Sequence, residues 1–325
     1  MSTPENPFGQ VLVALVTPFT AEGEVHWDDV EKHIDYLVTH GVDGIVVTGT
    51  TGETSTLTDP EKVKLVEVAK NVVAGRAKVI TGGGSNETAH AIELYKHSEE
   101  AGADGVMIVT PYYNKPTQAG ILTHFRMIAD ATDLPVLLYD IPGRTGVEIK
   151  YETILRASKH PNILGVKDAK GDLSEVSRVL NQTDLLYFAG DDANALPTLA
   201  IGGTGLVGVT ANIAPQPYRT IVDAVNVNDL ATATAAHRAL EPLVRATMTH
   251  VPGTVAAKYI LHGLGQISSP RVRLPLVGPE ESEAALIEDE IALVDHVPGV
   301  DFSNFRPDRN AAAGGALPKV AGTTR

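Results

Sequence analysis

The chain contains no cysteine among its 325 residues, which excludes disulfide bonds, thiolate nucleophiles and cysteine-ligated metal sites. Basic residues are also scarce: the chain has 26 Lys and Arg and 40 Asp and Glu, which gives a formal net charge of -14. No run of Lys or Arg could neutralise a row of phosphates, so the sequence argues against a nucleic-acid partner. The opening stretch, MSTPENPFGQ, lacks the basic segment and apolar core of a secretory signal, and we expect a cytoplasmic location without membrane association.

Short β-branched runs recur along the chain with helical segments between them. Eight such runs begin at residues 11, 44, 78, 105, 135, 163, 185 and 205. Strands that are apolar at nearly every position are typical of a parallel sheet covered by helices on both faces. The sequence therefore predicts an α/β fold, a (β/α)8 TIM barrel. The alternative, a doubly wound open sheet, lacks support because VTPFT rather than a Gly-rich dinucleotide fingerprint follows the first run.

The helical segments set the expected domain organisation. Spacing of apolar residues predicts helices over 27–41, 60–75 and 87–102 between the first strands, each ending near a glycine suited to a left-handed cap. Strand signals stop near residue 226, and helical spacing continues beyond it. We expect the barrel over 9–226, a C-terminal helical region over 227–298, and a disordered tail over 299–325, which is rich in small and polar residues.

Lys167 lies late in the sixth run, ILGVKDA, at the end of the barrel where catalytic groups of this fold lie. Alternation along a strand places Gly165 and Lys167 on the inward face and Leu164 and Val166 on the outward face. An amine that has lost its hydration has a lowered pKa and can attack a carbonyl carbon to form a Schiff base. The alternative is a lysine whose stem covers apolar surface while its charge stays in water.

Further polar residues follow neighbouring strands. Tyr139, on the fifth strand, either exchanges protons near Lys167 or simply fills the core. The Gly-rich turn GTTGET, which contains Thr50 and Thr51, offers backbone N–H groups and hydroxyls for a small carboxylate. Arg144, in IPGRTG, either binds a second carboxylate through two parallel hydrogen bonds or lies on the surface.

Other titratable residues suggest no additional chemistry. The 11 histidines form no recognisable metal-ligand spacing, so no metal site is predicted. Asp191 and Asp192, in AGDDANALP, are expected to cap the helix that follows rather than to form an acid/base pair.

The motifs GTTGET, VTPYYNKP, LLYDIPGRTG, GVKDAKGD, AGDDANALP and GLVGVTAN occur in one order over roughly residues 9–296. They resemble the dihydrodipicolinate synthase family, which belongs to the N-acetylneuraminate lyase superfamily of Schiff-base aldolases. The resemblance implies a lyase that needs no cofactor or metal. It implies condensation of pyruvate with aspartate 4-semialdehyde to 4-hydroxy-tetrahydrodipicolinate, a step of lysine and diaminopimelate biosynthesis.

The same resemblance implies roles for individual residues. Lys167 is expected to form the Schiff base and Tyr139 to transfer protons, with Thr51 and Tyr113 as relay partners. Tyr113 is expected to reach into the site of a neighbouring subunit, which implies a homo-oligomer, a tetramer or a dimer.

Substrate-binding roles follow in the same way. Thr50 and Thr51 match the positions that hold the pyruvate carboxylate, and the backbone of Val207 lines the same pocket. Arg144 matches the residue that receives the carboxylate of the semialdehyde. Two other functions stay open at this point: a sister aldolase that acts on a sugar acid or another aldehyde, against which Arg144 argues, and a non-catalytic barrel that binds a ligand.

Overall fold

The structure is a computed structural model that describes residues 6–82 and 84–309. Its strands are all parallel, pair in chain order, and close into a barrel through pairing of the first strand with the eighth. The strands are β1 Val11–Ala14, β2 Gly44–Val47, β3 Lys78–Thr81, β4 Gly105–Val109, β5 Val136–Asp140, β6 Ile163–Asp168, β7 Leu186–Ala189 and β8 Gly205–Gly208. Each lies within a predicted run, and the predicted TIM barrel is confirmed.

The helices cover the outside of the barrel and then continue beyond it. They are α1 Trp27–Thr39, α2 Asp59–Val73, α3 Thr88–Glu100, α4 Gln118–Ala129, α5 Pro142–Thr145, α6 Tyr151–Ala157, α7 Leu173–Leu180, α8 Ala195–Ala200, α9 Pro215–Asn226, α10 Leu230–Met248, α11 Gly253–Gly263 and α12 Glu281–Ala292. The three helices predicted between the first strands are confirmed within two residues at each end. Local chemistry sets such ends: Thr58 and Glu61 form a reciprocal capping box at the start of α2.

Strand alternation divides the apolar side chains into two layers. Side chains such as Leu137, Phe188 and Val207 fill the inside of the barrel. Their strand neighbours, such as Leu138 and Tyr187, pack outward against the helices. Because the interior is filled, substrate access is confined to the ends of the barrel, and the loops after the strands decide the chemistry.

The pairing of β5 with β6 contains one irregularity that affects the site. Val136 pairs with Ile163 but Leu137 pairs with Gly165, so the pairing passes over Leu164. The predicted outward position of Leu164 is wrong, because this bulge lets it pack against the inner layer. Beyond the bulge, the side chains of β6 again alternate between the inside and the outside of the barrel, as predicted.

The C-terminal helices pack onto the barrel through α10, which contacts both α9 and α12. Phe305, after a short 3-10 turn at Phe302–Asn304, lies edge-on to Tyr259 with 6.5 Å between ring centroids. The predicted tail lies partly outside the described residues, from 310 onward, and the predicted division at residues 226 and 298 stays a prediction. Among the helices of the described ranges, none combines the length and apolar character needed to cross a membrane.

Candidate active site

The ends of β5 and β6 place a tyrosine and a lysine side by side inside the barrel. Tyr139 pairs in register with Lys167, and each residue is only 4% exposed. Nζ of Lys167 lies 4.0 Å from the centroid of the Tyr139 ring. The structure therefore places this amine inside the barrel and not in water.

Burial changes the acidity of the Lys167 amine. Loss of hydration is the main cause that lowers its pKa, to about 7; the positive charge of Arg144 lowers it further and the negative charge of Asp192 opposes this. A large fraction of the amine is therefore neutral at neutral pH, which a nucleophile requires.

Tyr139 is held as a neutral phenol. Burial raises its pKa to about 12, against the opposing effects of the Arg144 charge and a hydrogen bond with the Thr50 side chain. A neutral phenol next to an amine can both donate and accept a proton during addition to a carbonyl group.

A cavity of about 210 Å³ opens at this end of the barrel. Its lining residues are Gly49, Thr50, Thr54, Ser55, Gly82, Gly84, Met107, Val109, Tyr112, Tyr139, Ile141, Arg144 and Thr145. Lys167 does not line the cavity itself. It contacts the ring of Tyr139, and Tyr139 is a lining residue. The cavity thus has a phenol and a guanidinium on its wall and a reactive amine directly behind the phenol.

The loop GTTGET is held by its own backbone and by the loop that follows β1. Gly52 N donates to Gly49 O at 3.1 Å, and the Thr17 hydroxyl donates to Gly52 O at 2.8 Å. Thr51 is buried within this loop, while Thr50 is only partly buried and lines the cavity. The loop is therefore fixed at the point where it faces the cavity.

A buried ion pair fixes the end of the same loop. Glu53, whose φ of 59° is left-handed, accepts from Lys258 Nζ at 2.5 Å and from Arg273 N at 2.8 Å. Lys258 also lies 3.9 Å from the centroid of the Phe19 ring. The sequence interpretation missed this pair, although a lysine inside VAAKYIL, where every residue is buried, was a signal that a buried partner exists.

Arg144 and Tyr113 stand at the rim. Arg144 lies on the one-turn helix α5, directly after β5, and is exposed although it lines the cavity. Tyr113 lies on the loop between β4 and α4, with a left-handed φ of 70° and a side chain that is 90% exposed. The structure thus brings Lys167, Tyr139 and Arg144 to one place, whereas the Tyr113 side chain points into solvent.

The remaining predicted residues lie on the eighth strand and in the turn that follows the seventh. Val207 is fully buried in the inner layer that also contains Tyr139. Asp191 accepts from Ala193 N and caps the turn that follows, as predicted. The predicted capping role of Asp192 is wrong: this fully buried carboxylate instead accepts from Val209 N and Thr210 N at the end of β8.

Comparison with known proteins identifies the family of this chain. Residues 7–292 match the model of the Dihydrodipicolinate synthetase family. The chain belongs to this family. A 4-hydroxy-tetrahydrodipicolinate synthase of Kineococcus radiotolerans is 48% identical over 295 residues, covering 91% of this chain and 96% of the relative.

Solved structures of the family agree with the fold. The dihydrodipicolinate synthase of Cyanidioschyzon merolae, with lysine bound, is 39% identical, with a TM-score of 0.85 and coverage of 89% and 98% of the two chains. The enzyme of Acinetobacter baumannii, complexed with pyruvate, is 34% identical, with a TM-score of 0.84 and coverage of 88% and 98%. The predicted family and the predicted lyase class are therefore confirmed.

Proposed function

We propose that this member of the family condenses pyruvate with aspartate 4-semialdehyde through a Schiff base at Lys167, to give 4-hydroxy-tetrahydrodipicolinate. The observation that carries the proposal is the buried Lys167 amine, with its pKa lowered to about 7, lying against the Tyr139 ring. The names of the relatives support the overall reaction, and the pyruvate complex of the Acinetobacter enzyme supports the first substrate.

The proposed reaction begins with attack of Lys167 Nζ on the keto carbon of pyruvate. Tyr139 donates a proton to the oxygen that leaves as water, and a carbon–nitrogen double bond remains. Loss of a proton from the pyruvate methyl group gives an enamine, whose carbon forms a bond to the aldehyde carbon of the semialdehyde. The amine of the semialdehyde then attacks the Schiff-base carbon, closes the ring and releases Lys167.

Two carboxylates must be held during these steps. Thr50 and Thr51, on the fixed loop after β2, would hold the pyruvate carboxylate, and the buried Val207 would line the same pocket through its backbone. Arg144, on the cavity wall, would receive the carboxylate of the semialdehyde through its planar fork of donors. This guanidinium favours an aldehyde that bears its own carboxylate, and it argues against a sister aldolase that acts on a sugar acid.

A second copy of the chain would complete the site. The Tyr113 side chain is 90% exposed in a single chain, it follows Tyr112, which lines the cavity, and aromatic residues are enriched at protein interfaces. We expect a homo-oligomer, a tetramer or a dimer, in which Tyr113 and Thr51 act as proton relays. A cytoplasmic location for such an enzyme stays a prediction from the sequence.

A coupled assay tests the substrate assignment. The protein is incubated with pyruvate and aspartate semialdehyde, and product is followed through a reductase that consumes it. Product formation that depends on both substrates would support the proposal. Cleavage of sugar acids without condensation of the semialdehyde would instead support the sister aldolase.

A further inference from the structure

A second pair of side chains lies directly behind the reactive pair. Asp140 follows Tyr139 and Asp168 follows Lys167, and the two carboxylates are paired in register on adjacent strands. Because strand alternation turns them outward, they lie between the barrel and its helices, where they are 1% and 4% exposed. Two buried carboxylates side by side repel each other unless a cation or hydrogen-bond donors compensate.

Lys170 supplies the cation. It lies in the turn after β6, and its Nζ reaches back to Asp140 Oδ2 at 3.2 Å and to the carbonyl oxygen of Ile149 at 3.2 Å. The same Nζ contacts Glu175 on α7, and the Lys170 side chain is only 9% exposed. One ammonium group therefore joins the end of β5 to a helix that follows β6.

Asp168 extends the same network to the next strand. Its Oδ1 accepts from Lys170 N at 2.5 Å and Gly171 N at 3.2 Å, which fixes the turn that carries Lys170. Its Oδ2 accepts from the Tyr187 hydroxyl on β7 at 2.7 Å. The ends of β5, β6 and β7 are thus held together on the side opposite to the cavity.

We propose that Lys170 is a positioning residue for the proposed Schiff-base reaction: by bridging Asp140 and Glu175 it holds the ends of β5 and β6 so that Lys167 Nζ stays against Tyr139. This inference rests on the proposed function. Within residues 6–82 and 84–309, Lys170 is the cation that forms ion pairs with Asp140 and Glu175. Without its ammonium group both carboxylates lose this partner, and the turn after β6 loses its link to β5. The two strand ends can then shift relative to each other, and a displacement of about 1 Å at reacting atoms costs on the order of 100-fold in rate.

The test compares a variant at this position with a matched control. In Lys170→Met the stem is kept and the charge is removed, and we expect kcat to fall by about 10-fold to 100-fold with a smaller change in KM for pyruvate. Lys70→Met is the control for loss of a lysine charge elsewhere, because Lys70 forms a more exposed pair with Asp104 at 2.6 Å, ahead of β4 and at the opposite end of the barrel. We expect this control to keep the wild-type kcat.

A double variant separates positioning from general stability. In Asp140→Asn/Lys170→Met the buried charge is removed together with its partner, while the amide oxygen at position 140 can still accept from Ile149 N, as the carboxylate does. We expect the free energy of unfolding to recover, because no unpaired charge stays at position 140, whereas kcat stays low because the link from the turn after β6 to β5 is still absent. An unchanged kcat in Lys170→Met, or a double variant whose kcat returns to the wild-type value, would overturn the inference.

Two further measurements cover a variant that fails to fold and distinguish failure of the positioning role from failure of the proposed function. If Lys170→Met does not fold, Asp140→Asn alone is used: Lys170 then loses its ion pair with the end of β5 and keeps its contacts with Glu175 and the Ile149 carbonyl oxygen. A severalfold fall in kcat is expected, and wild-type kcat overturns the inference. Borohydride trapping of pyruvate is run on the wild-type chain in parallel. Absence of a wild-type adduct at Lys167 would overturn the proposed function itself, whereas an adduct with wild-type kinetics in Lys170→Met would overturn the positioning role alone.

Discussion

Glu53 and Lys258 lie 205 residues apart in the chain and form a fully buried ion pair. Glu53 ends the loop that carries Thr50 and Thr51, and Lys258 lies on α11 of the C-terminal helices. The C-terminal helices therefore hold a loop of the candidate active site. Burial lowers the pKa of Lys258 to about 8, and the negative charge of Glu53 counteracts a larger decrease.

Removing one partner of this ion pair should destabilise the folded protein. Lys258→Met leaves the Glu53 carboxylate buried without its cation, and we expect the free energy of unfolding to fall by about 3–5 kcal/mol. Denaturant unfolding measures this change. Glu53→Gln/Lys258→Met is the control, since removing both charges should restore part of the loss; a single variant as stable as wild type would contradict the structural role.

Tyr139→Phe tests the proton-transfer role. The ring that contacts Lys167 and fills the inner layer is kept, so folding should change little, while the hydroxyl that could transfer the proton is lost. We expect kcat for condensation to fall by about 100-fold to 10,000-fold, the usual range for a general acid or base. Steady-state kinetics and thermal unfolding are measured together, and a variant with wild-type kcat would exclude the role.

Arg144→Met tests the choice of the second substrate. We expect KM for the semialdehyde to rise by about 10-fold to 100-fold, because a charge-assisted, paired hydrogen bond contributes roughly 1.5–3 kcal/mol. Adduct formation with pyruvate alone should persist. Equal kinetics with the semialdehyde in the variant and the wild type would remove the substrate assignment.

The pH dependence of adduct formation follows from the Lys167 pKa. Only the neutral amine attacks pyruvate, so the rate should be low where the amine is protonated, rise with pH through about 7, and level off above it. Initial rates of reductive trapping measure the midpoint. A rate that keeps rising toward pH 10.5, the ordinary value for lysine, would show that burial does not lower the pKa.

Most of the fold could be predicted from local patterns, because period-two strands and helical spacing depend on nearby residues. The alternation of side chains along a strand also predicts Lys167 and Tyr139 on the inner face of the barrel. The bulge that turns Leu164 inward could not be predicted in this way, since it depends on the register of β5 against β6.

Contacts between distant segments were also beyond a local interpretation. The sequence predicts a helix cap at Asp192 because capping residues are recognised by their neighbours in sequence, whereas its actual partners lie at the end of β8. The Glu53–Lys258 pair and the bridge from Lys170 to Asp140 likewise join segments that only the closed barrel brings together.

The most direct test of the account is the identity of the residue that captures pyruvate. The protein is incubated with pyruvate, reduced with borohydride, digested, and mapped by mass spectrometry, with Lys167→Ala and Lys258→Met as parallel samples. The account predicts one adduct at Lys167 in the wild type, none in Lys167→Ala, and an adduct still at Lys167 in the folded fraction of Lys258→Met. An unmodified Lys167 in the wild-type protein, or an adduct at another lysine, would contradict it.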